Sequence, residues 1–227
     1  MLKRITKTLL KIIGYFLLIS IVSTLLFRFV PVPVTPLMLQ RVVEQKIAGK
    51  ELRLYKEWKP LDEISPKLQL AAMASEDQKF DEHFGFDVEA IEKAVKYNER
   101  HTRKKRGAST ISQQTAKNLF LFPSRSWVRK GFEVYFTFLI EALWSKKRIM
   151  EVYLNIIEMG DGVYGAEAAA QTYFNKPAAK LSASQAALIA AIIPSPLRYK
   201  LSRPSGFIYS RQAWILRQMN NMEAKPY

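Results

Sequence analysis

Cysteine is absent from the 227 residues, which excludes disulfides, thiolate chemistry and cysteine-ligated zinc together. Histidine occurs only at His83 and His101, so a multi-histidine metal site is excluded as well. Glycine is sparse, at 9 residues, and G-x-x-x-x-G-K-[ST] is missing, which rules out a nucleotide-cradling P-loop. Acids are few beside bases, 20 against 35, and a formal net charge of +15 predicts an anionic partner: nucleic acid, a membrane surface or a phosphorylated substrate. Sustained strand-like alternation is almost missing too. What remains is 48% hydrophobic and 12% aromatic residues, ample for the core of one good-sized, mainly α domain.

The N-terminus narrows the compartment. Residues 1–11 carry Lys3, Arg4, Lys7 and Lys11 without an acid, and residues 12–27, IIGYFLLISIVSTLLF, carry no charge. Sixteen helical residues span ~24 Å, a little short of a ~30 Å hydrocarbon core. Phe29 and Val30 extend the apolar run, and Lys11 and Arg28 can snorkel. A cleaved signal peptide has the same basic head and apolar middle, but no small-x-small site follows. The expected organisation is a cytoplasmic tail at 1–11, a transmembrane helix at 12–30, a stiff proline-rich stalk at 31–36 and an extracytoplasmic domain at 37–227.

Within that domain, LMLQRVVEQKI has helical spacing ended by Ala48-Gly49-Lys50, and LRLYKEWKPL reads as a short extended piece. Pro66 suits a helix start before LQLAAMASEDQKF. Residues 98–110, NERHTRKKRGAST, read as a flexible stretch. The long periodic run from Ser126 predicts two helices, with Phe132, Phe136, Leu139, Ile140 and Leu143 as a core stripe and Ser145 capping the second. Ile149, Val152 and Ile156 point that second helix inward. Gly160-Asp161-Gly162 and Gly165 punctuate the chain before two more helices, the last opened by Ser182-x-x-Gln185.

Three stretches can carry chemistry. Residues 75–87, SEDQKFDEHFGFD, crowd acids among phenylalanines. Ser75 and Gln78 can cap a helix with Glu76 and Asp77 in its first turn. Alternatively, a carboxylate beside Phe80, Phe84 and Phe86 sits in a partly desolvated cleft and serves proton transfer. Asp77, Asp81 and His83 lack a recognised metal-ligand spacing. In the second stretch, Arg100, Arg103, Lys104, Lys105 and Arg106 suit a solvated loop, whereas Gly107, Ser109 and Thr110 precede Gln113, Gln114, Lys117 and Asn118. Ser109 opening a helix with Gln113 and Lys117 on one face makes a plausible anion receptor. Nucleic acid is disfavoured, because no base-stacking aromatics interleave the basic run. The third stretch holds Arg125, Arg129, Lys130 and Glu133. Arg129 and Glu133 suit an i,i+4 ion pair, but Glu133 on an otherwise apolar helix also suits a second cleft acid.

Taken in order, EDQKFDEHFGFD, GASTISQQTAKNLF, RKGFE, IMEVYLN and GAEAAAQTYFNK resemble the motifs of peptidoglycan glycosyltransferase family 51, over about residues 70–199. The end of the chain at Tyr227 leaves no room for a transpeptidase domain, so the likeness is to the monofunctional members. It implies a lysozyme-like, two-lobed, mainly α fold with a head and a membrane-facing jaw. It also implies polymerisation of lipid II into β-1,4-linked glycan with inversion, releasing undecaprenyl pyrophosphate at the outer face of the inner membrane. By motif position Glu76 is the general base, with Asp77, Phe80, His83 and Gly85 in support. Glu133 assists at the pyrophosphate, directly or through a divalent cation (Mg or Mn); no tightly bound cofactor is implied. Ser109, Gln113, Gln114, Lys117, Asn118, Arg125, Arg129 and Lys130 bind the donor's sugars and pyrophosphate, and Gly107 and Thr110 join them as substrate-binding residues. Ser112 stands where the family often has threonine, with the hydroxyl kept. Implied partners are lipid II, the lipid-linked glycan chain and membrane lipids, with room for other cell-wall synthesis or division proteins. A lytic muramidase would also use a cleft glutamate but needs no pyrophosphate site. A tethered, non-catalytic binder of acidic polymers would need only the basic run.

Overall fold

A computed structural model describes residues 2–101, 105–124, 126–222 and 226–227. The first element, α1 (Leu2–Phe27), is the one helix among the described residues that is long and apolar enough to cross a membrane. Most of its faces are exposed, but Ser20 and Thr24 are buried against the rest of the chain. Residues 28–30, expected within the apolar segment, lie beyond the helix. The expected stalk is not a free linker: Val32 is buried, its carbonyl accepts from Lys56 Nζ at 2.7 Å, and Thr35 already caps α2 (Pro36–Ile47). Helix α2 ends at Ala48, as its sequence predicts.

The core is built on α3 (Pro66–Glu76), α5 (Ile111–Phe120), α7 (Lys146–Ile156) and α9 (Ala183–Ile192). Alanines 71, 72 and 74 of α3 and 186, 187, 190 and 191 of α9 are buried, and their short side chains let the two helices pack closely. Ile149, Val152 and Ile156 of α7 are fully buried, as their spacing predicts, and Ser145 caps that helix by accepting from the Arg148 N–H. Helix α6 (Trp127–Leu143) carries the expected stripe with one change. Phe136 and Ile140 enter the core, whereas Phe132 meets Phe16 of α1, ring centroids 5.4 Å apart.

Strand β1 (Tyr55–Lys56) and a hairpin of β2 (Glu158–Gly160) and β3 (Val163–Tyr164) form a small sheet in the order β1-β3-β2, with β1 parallel and β2 antiparallel to β3. Gly165 then turns the chain into α8 (Gly165–Phe174) at φ +80°, where a Cβ would meet the Asn155 carbonyl oxygen at 2.7 Å. The Ser182–Gln185 capping box opens α9.

Two helices escape the sequence patterns. Helix α4 (Val88–Arg100) takes in the start of the stretch expected to be flexible, with Asp87 as its cap. Arg103 and Lys104 of that stretch lie outside the described residues. Helix α10 (Gly206–Asn221) packs on α9 and α3.

Helix α1 is joined to the domain by specific contacts. The Ser20 and Tyr135 hydroxyls lie 2.6 Å apart, and Trp144 Nε1 donates to the Thr24 carbonyl at 2.8 Å. The Arg148 guanidinium donates to the carbonyls of Phe27 and Val30, at 2.8 and 2.7 Å. The Phe27 carbonyl, at the end of α1, lacks an intrahelical partner, and Arg148 supplies a donor for it and for the Val30 carbonyl just beyond.

Candidate active site

Glu76 is the last residue of α3 and Asp77 its C-cap, so Ser75 does not open a helix and the acids do not occupy a first turn. The helix that starts at Pro66 already includes Ser75 and ends at Glu76, inside the apparent capping pattern. Both oxygens of the half-buried Glu76 carboxylate are held by neutral donors. Ser75 Oγ donates to Oε1 at 3.0 Å, and Gln114 Nε2 of α5 donates to Oε2 at 3.0 Å. The carboxylate lines a cavity of about 570 Å³ that also reaches Gly107, Ser109, Thr110, Gln114 and Arg211. None of the three phenylalanines lines it: Phe80 is buried in the core and Phe84 packs on Phe138. The desolvated phenylalanine cleft expected around Glu76 is therefore absent from the described residues.

Asp77, Phe80, His83 and Gly85 instead build the joint that holds α3 to α5. The buried Asp77 accepts from His83 Nε2 at 2.9 Å through Oδ1, and from the Ile111 N–H at 3.0 Å through Oδ2. The second bond satisfies an N–H that the first turn of α5 leaves unpaired. Thr110, not Ser109, is the N-cap of α5, in a reciprocal capping box with Gln113. Its hydroxyl also donates to the Gly85 carbonyl at 2.7 Å. Gln113 is consequently turned back and buried, and the polar face expected from Ser109 through Gln113 passes instead through Gln114 and Lys117. Gly85 adopts φ +77°, and a Cβ there would lie 2.7 Å from Thr137 Cγ2. Beneath it, the Lys146 ammonium donates to the His83 carbonyl and to Glu141, each at 2.7 Å, and lies 4.6 Å from the centre of the Phe80 ring. The Ser112 hydroxyl bonds Glu141 in this network.

The second acid has the opposite surroundings. Glu133 is 3% exposed and bound by two cations, Arg129 at 3.0 Å and Lys130 at 2.5 Å. Both the expected i,i+4 pair and an inward-facing acid are therefore present. Lys117, three residues after Gln114 and on the same side of α5, forms no hydrogen bond or ion pair with the described residues. Burial pushes its ammonium below the ordinary lysine value; Arg129 and Lys130 add to that, while Glu133 and Glu76 oppose it. Lys117, Asn118 and Arg129 line a second cavity of about 380 Å³. At its edge Arg41 of α2 pairs with Glu158 at 3.0 Å. Burial raises the Glu158 carboxyl, and the bonds from Arg41 and Tyr164 pull it back.

Arg125 lies outside the described residues. No three acidic or histidine side chains converge on a metal position among those described. Glu133, with a cation already on each oxygen, is a poor divalent-metal ligand as arranged. Sequence reasoning read Ser75 only as a helix cap and missed Arg211, the Arg41–Glu158 pair and the Glu141–Lys146 pair that Ser112 joins. Only Ser75, adjacent to Glu76, carries a local signal.

Comparison with known proteins gives the family. Residues 44–220 match the family model described as Transglycosylase. A Shigella sonnei (strain Ss046) protein named biosynthetic peptidoglycan transglycosylase is 58% identical over 203 residues, 89% of this chain and 84% of the relative. A protein of the same name from Escherichia coli (strain K12 / DH10B) is 58% identical over the same shares.

Proposed function

The chain belongs to the transglycosylase family, and we infer from that membership and from the two poles of its site that it polymerises peptidoglycan glycan chains from lipid II. Its mainly helical, lysozyme-like fold behind one apolar helix and its role as a glycosyltransferase of cell-wall synthesis follow from the family.

The observation that carries it is the placing of α5 between two unlike acids. Gln114 holds Glu76 beside one cavity, and Lys117, one turn on, stands unpaired beside another. Glu76 takes the proton of the acceptor sugar's 4-hydroxyl. The freed oxygen attacks the donor's anomeric carbon from the face opposite the diphosphate, and the bond to the leaving oxygen breaks with its electron pair. Inversion and a β-1,4 link result. The departing diphosphate gains negative charge, which Lys117, Arg129 and Lys130 stabilise from fixed positions. Glu133 holds Arg129 and Lys130 in place from below, so their geometry exists before substrate arrives. Gln114 and Ser75 orient the base, while Asp77, His83, Gly85 and Gln113 keep α3 and α5 in register. Asn118 lines the donor cavity, and Gly107, Ser109 and Thr110 line the acceptor's. No step is routed through a metal ion.

The domain spans residues 37–227, with α1 as a single-pass anchor in the inner membrane. The basic residues 3, 4, 7 and 11 hold the N-terminus in the cytoplasm, and the catalytic domain is periplasmic. In favour of an anchor that is kept, α1 is hydrogen-bonded to the domain through Ser20, Thr24 and Phe27. In favour of membrane lipids as neighbours, Trp127 and Val128 at the start of α6 are 91% and 71% exposed.

Incubation of the purified full chain with labelled lipid II tests the reading. The expected product is a polymer that lysozyme digests to short fragments. Unchanged lipid II, or hydrolysis of added glycan without polymer, would overturn it in favour of an inert binder or a muramidase.

A further inference from the structure

Arg211 enters the site from α10, far along the chain, and lines the same cavity as Glu76. Its Nη2 donates to the Ser75 carbonyl at 3.1 Å and reaches Ser75 Oγ at 3.4 Å. Ser75 Oγ in turn lies 3.0 Å from Glu76 Oε1. The guanidinium rests over the Trp214 ring at 4.4 Å and pairs with no carboxylate among the described residues. We propose that Arg211 and Ser75 are positioning residues: a relay from α10 that fixes the Glu76 carboxylate in its ionised, proton-accepting orientation. This rests on reading Glu76 as the general base.

The chemistry follows from helix termini and proton counting. Carbonyls in the last turn of α3 have no intrahelical partner, and Arg211 fills that need at the residue just before the base. A serine hydroxyl has one proton to give. Its two acceptors are Glu76 Oε1 at 3.0 Å and the Ala190 carbonyl at 3.3 Å. While Glu76 is ionised, the closer and charged acceptor takes the proton, and Arg211 at the hydroxyl's lone pair favours that orientation. Gln114 occupies the other carboxylate oxygen, so rotation of the base is blocked from both sides. Once Glu76 has accepted the sugar's proton, the Ser75 hydroxyl can turn to Ala190.

Other charges face the same carboxylate. Asp77 follows it on the chain, and Lys117 of α5 and the buried Tyr153 hydroxyl of α7 lie within its field. Across the cavity, Glu89 of α4 is occupied by Lys79 and Lys93, and Asp87 by the Ala90 N–H. Helix α9 contributes no ionisable side chain. Arg211 is thus the cation that acts on Glu76 through a hydrogen-bonded intermediary.

Rate against pH, measured on the full chain with labelled lipid II, tests the relay. A donor to the charged form favours ionisation, so its loss moves the acid limb to higher pH. Ser75→Ala is expected to move that limb up by about one pH unit and to lower kcat about tenfold at neutral pH. KM should change less than kcat, because the relay acts on the base rather than on the bound substrate. Ser75→Thr keeps the hydroxyl and should restore the limb; Arg211→Ala should move it in the same direction, and Arg211→Lys less. Limbs superimposable on wild type, or a Ser75→Thr variant no better than Ser75→Ala, would overturn the proposal. If Arg211→Ala does not fold, Ser75→Ala decides alone. A Glu76→Gln control separates the two ideas: an active control removes the base assignment itself. A dead control beside unaltered Ser75→Ala and Arg211→Ala removes only the relay.

Discussion

Glu76 and Glu133 are the same residue type in opposite surroundings. Glu76 is half-buried, held by a serine hydroxyl and a glutamine amide, and open to a cavity. Glu133 is nearly inaccessible and neutralised by an arginine and a lysine. A carboxylate bound by neutral donors keeps capacity to take a proton; one locked between two cations is better suited to fixing those cations. The difference teaches that a two-acid site need not be an acid and a base. In the function we propose, one acid handles the nucleophile's proton, and the other organises positive charge for the leaving group.

Substitutions break or sharpen that contrast. Glu76→Gln keeps the shape and removes the proton acceptor, so turnover should fall about 10³-fold with the melting temperature little changed. Full activity, read as polymer formed per minute, would dissolve the distinction at once. Glu133→Gln should cost roughly 10²–10³-fold, because Arg129 and Lys130 lose their common anchor. The informative sign is a rise in donor KM, which Glu76→Gln should not show.

Lys117→Met should lower turnover about 10²-fold and yet raise stability. The lysine's native value is lowered, so at neutral pH its charge is held at a cost that the unfolded chain does not bear. In the wild type that cost fades as pH rises through the lowered native value towards 10.5, and stability rises over that window. The variant should lack this rise and melt about 2–4 °C higher at neutral pH for each kcal/mol recovered. Equal melting curves from neutral to alkaline pH would show that Lys117 is not strained. The smallest effect on chemistry belongs to Gly85→Ala, which forces a side chain into a positive-φ site and against Thr137. It should cost roughly 1–3 kcal/mol of stability, seen as an earlier thermal transition, with any loss of rate following from misplacement of α5.

Much of this was legible in the residues, and the exceptions have physical causes. Pro66, Ser145 and the Ser182–Gln185 box mark helix starts through their own local chemistry, and the structure places them there. The same kind of pattern at Ser75 and Gln78 misled, because a capping box is decided by whether the preceding residues are already helical. Ser109 and Thr110 are both competent caps, and contact with Gly85, 25 positions away, singles out Thr110. Phenylalanines near Glu76 in sequence turn to the core and to α6, since a chain leaving a helix end scatters its neighbours. Arg211 has no local signal at all: its role exists only because α10 folds back onto α3. The proline-rich segment looked like a spacer by composition, whereas burial of Val32 packs it against the domain.

The most direct measurement is donor binding and polymer formation on one preparation of Glu76→Gln, beside one of Lys117→Met. Binding is read with a labelled undecaprenyl-pyrophosphate-linked glycan. Glu76→Gln should bind the donor as wild type does and make polymer about 10³-fold more slowly, while Lys117→Met should bind it weakly. Polymer from Glu76→Gln at the wild-type rate, or undiminished donor binding by Lys117→Met, would contradict the division of labour between the two poles.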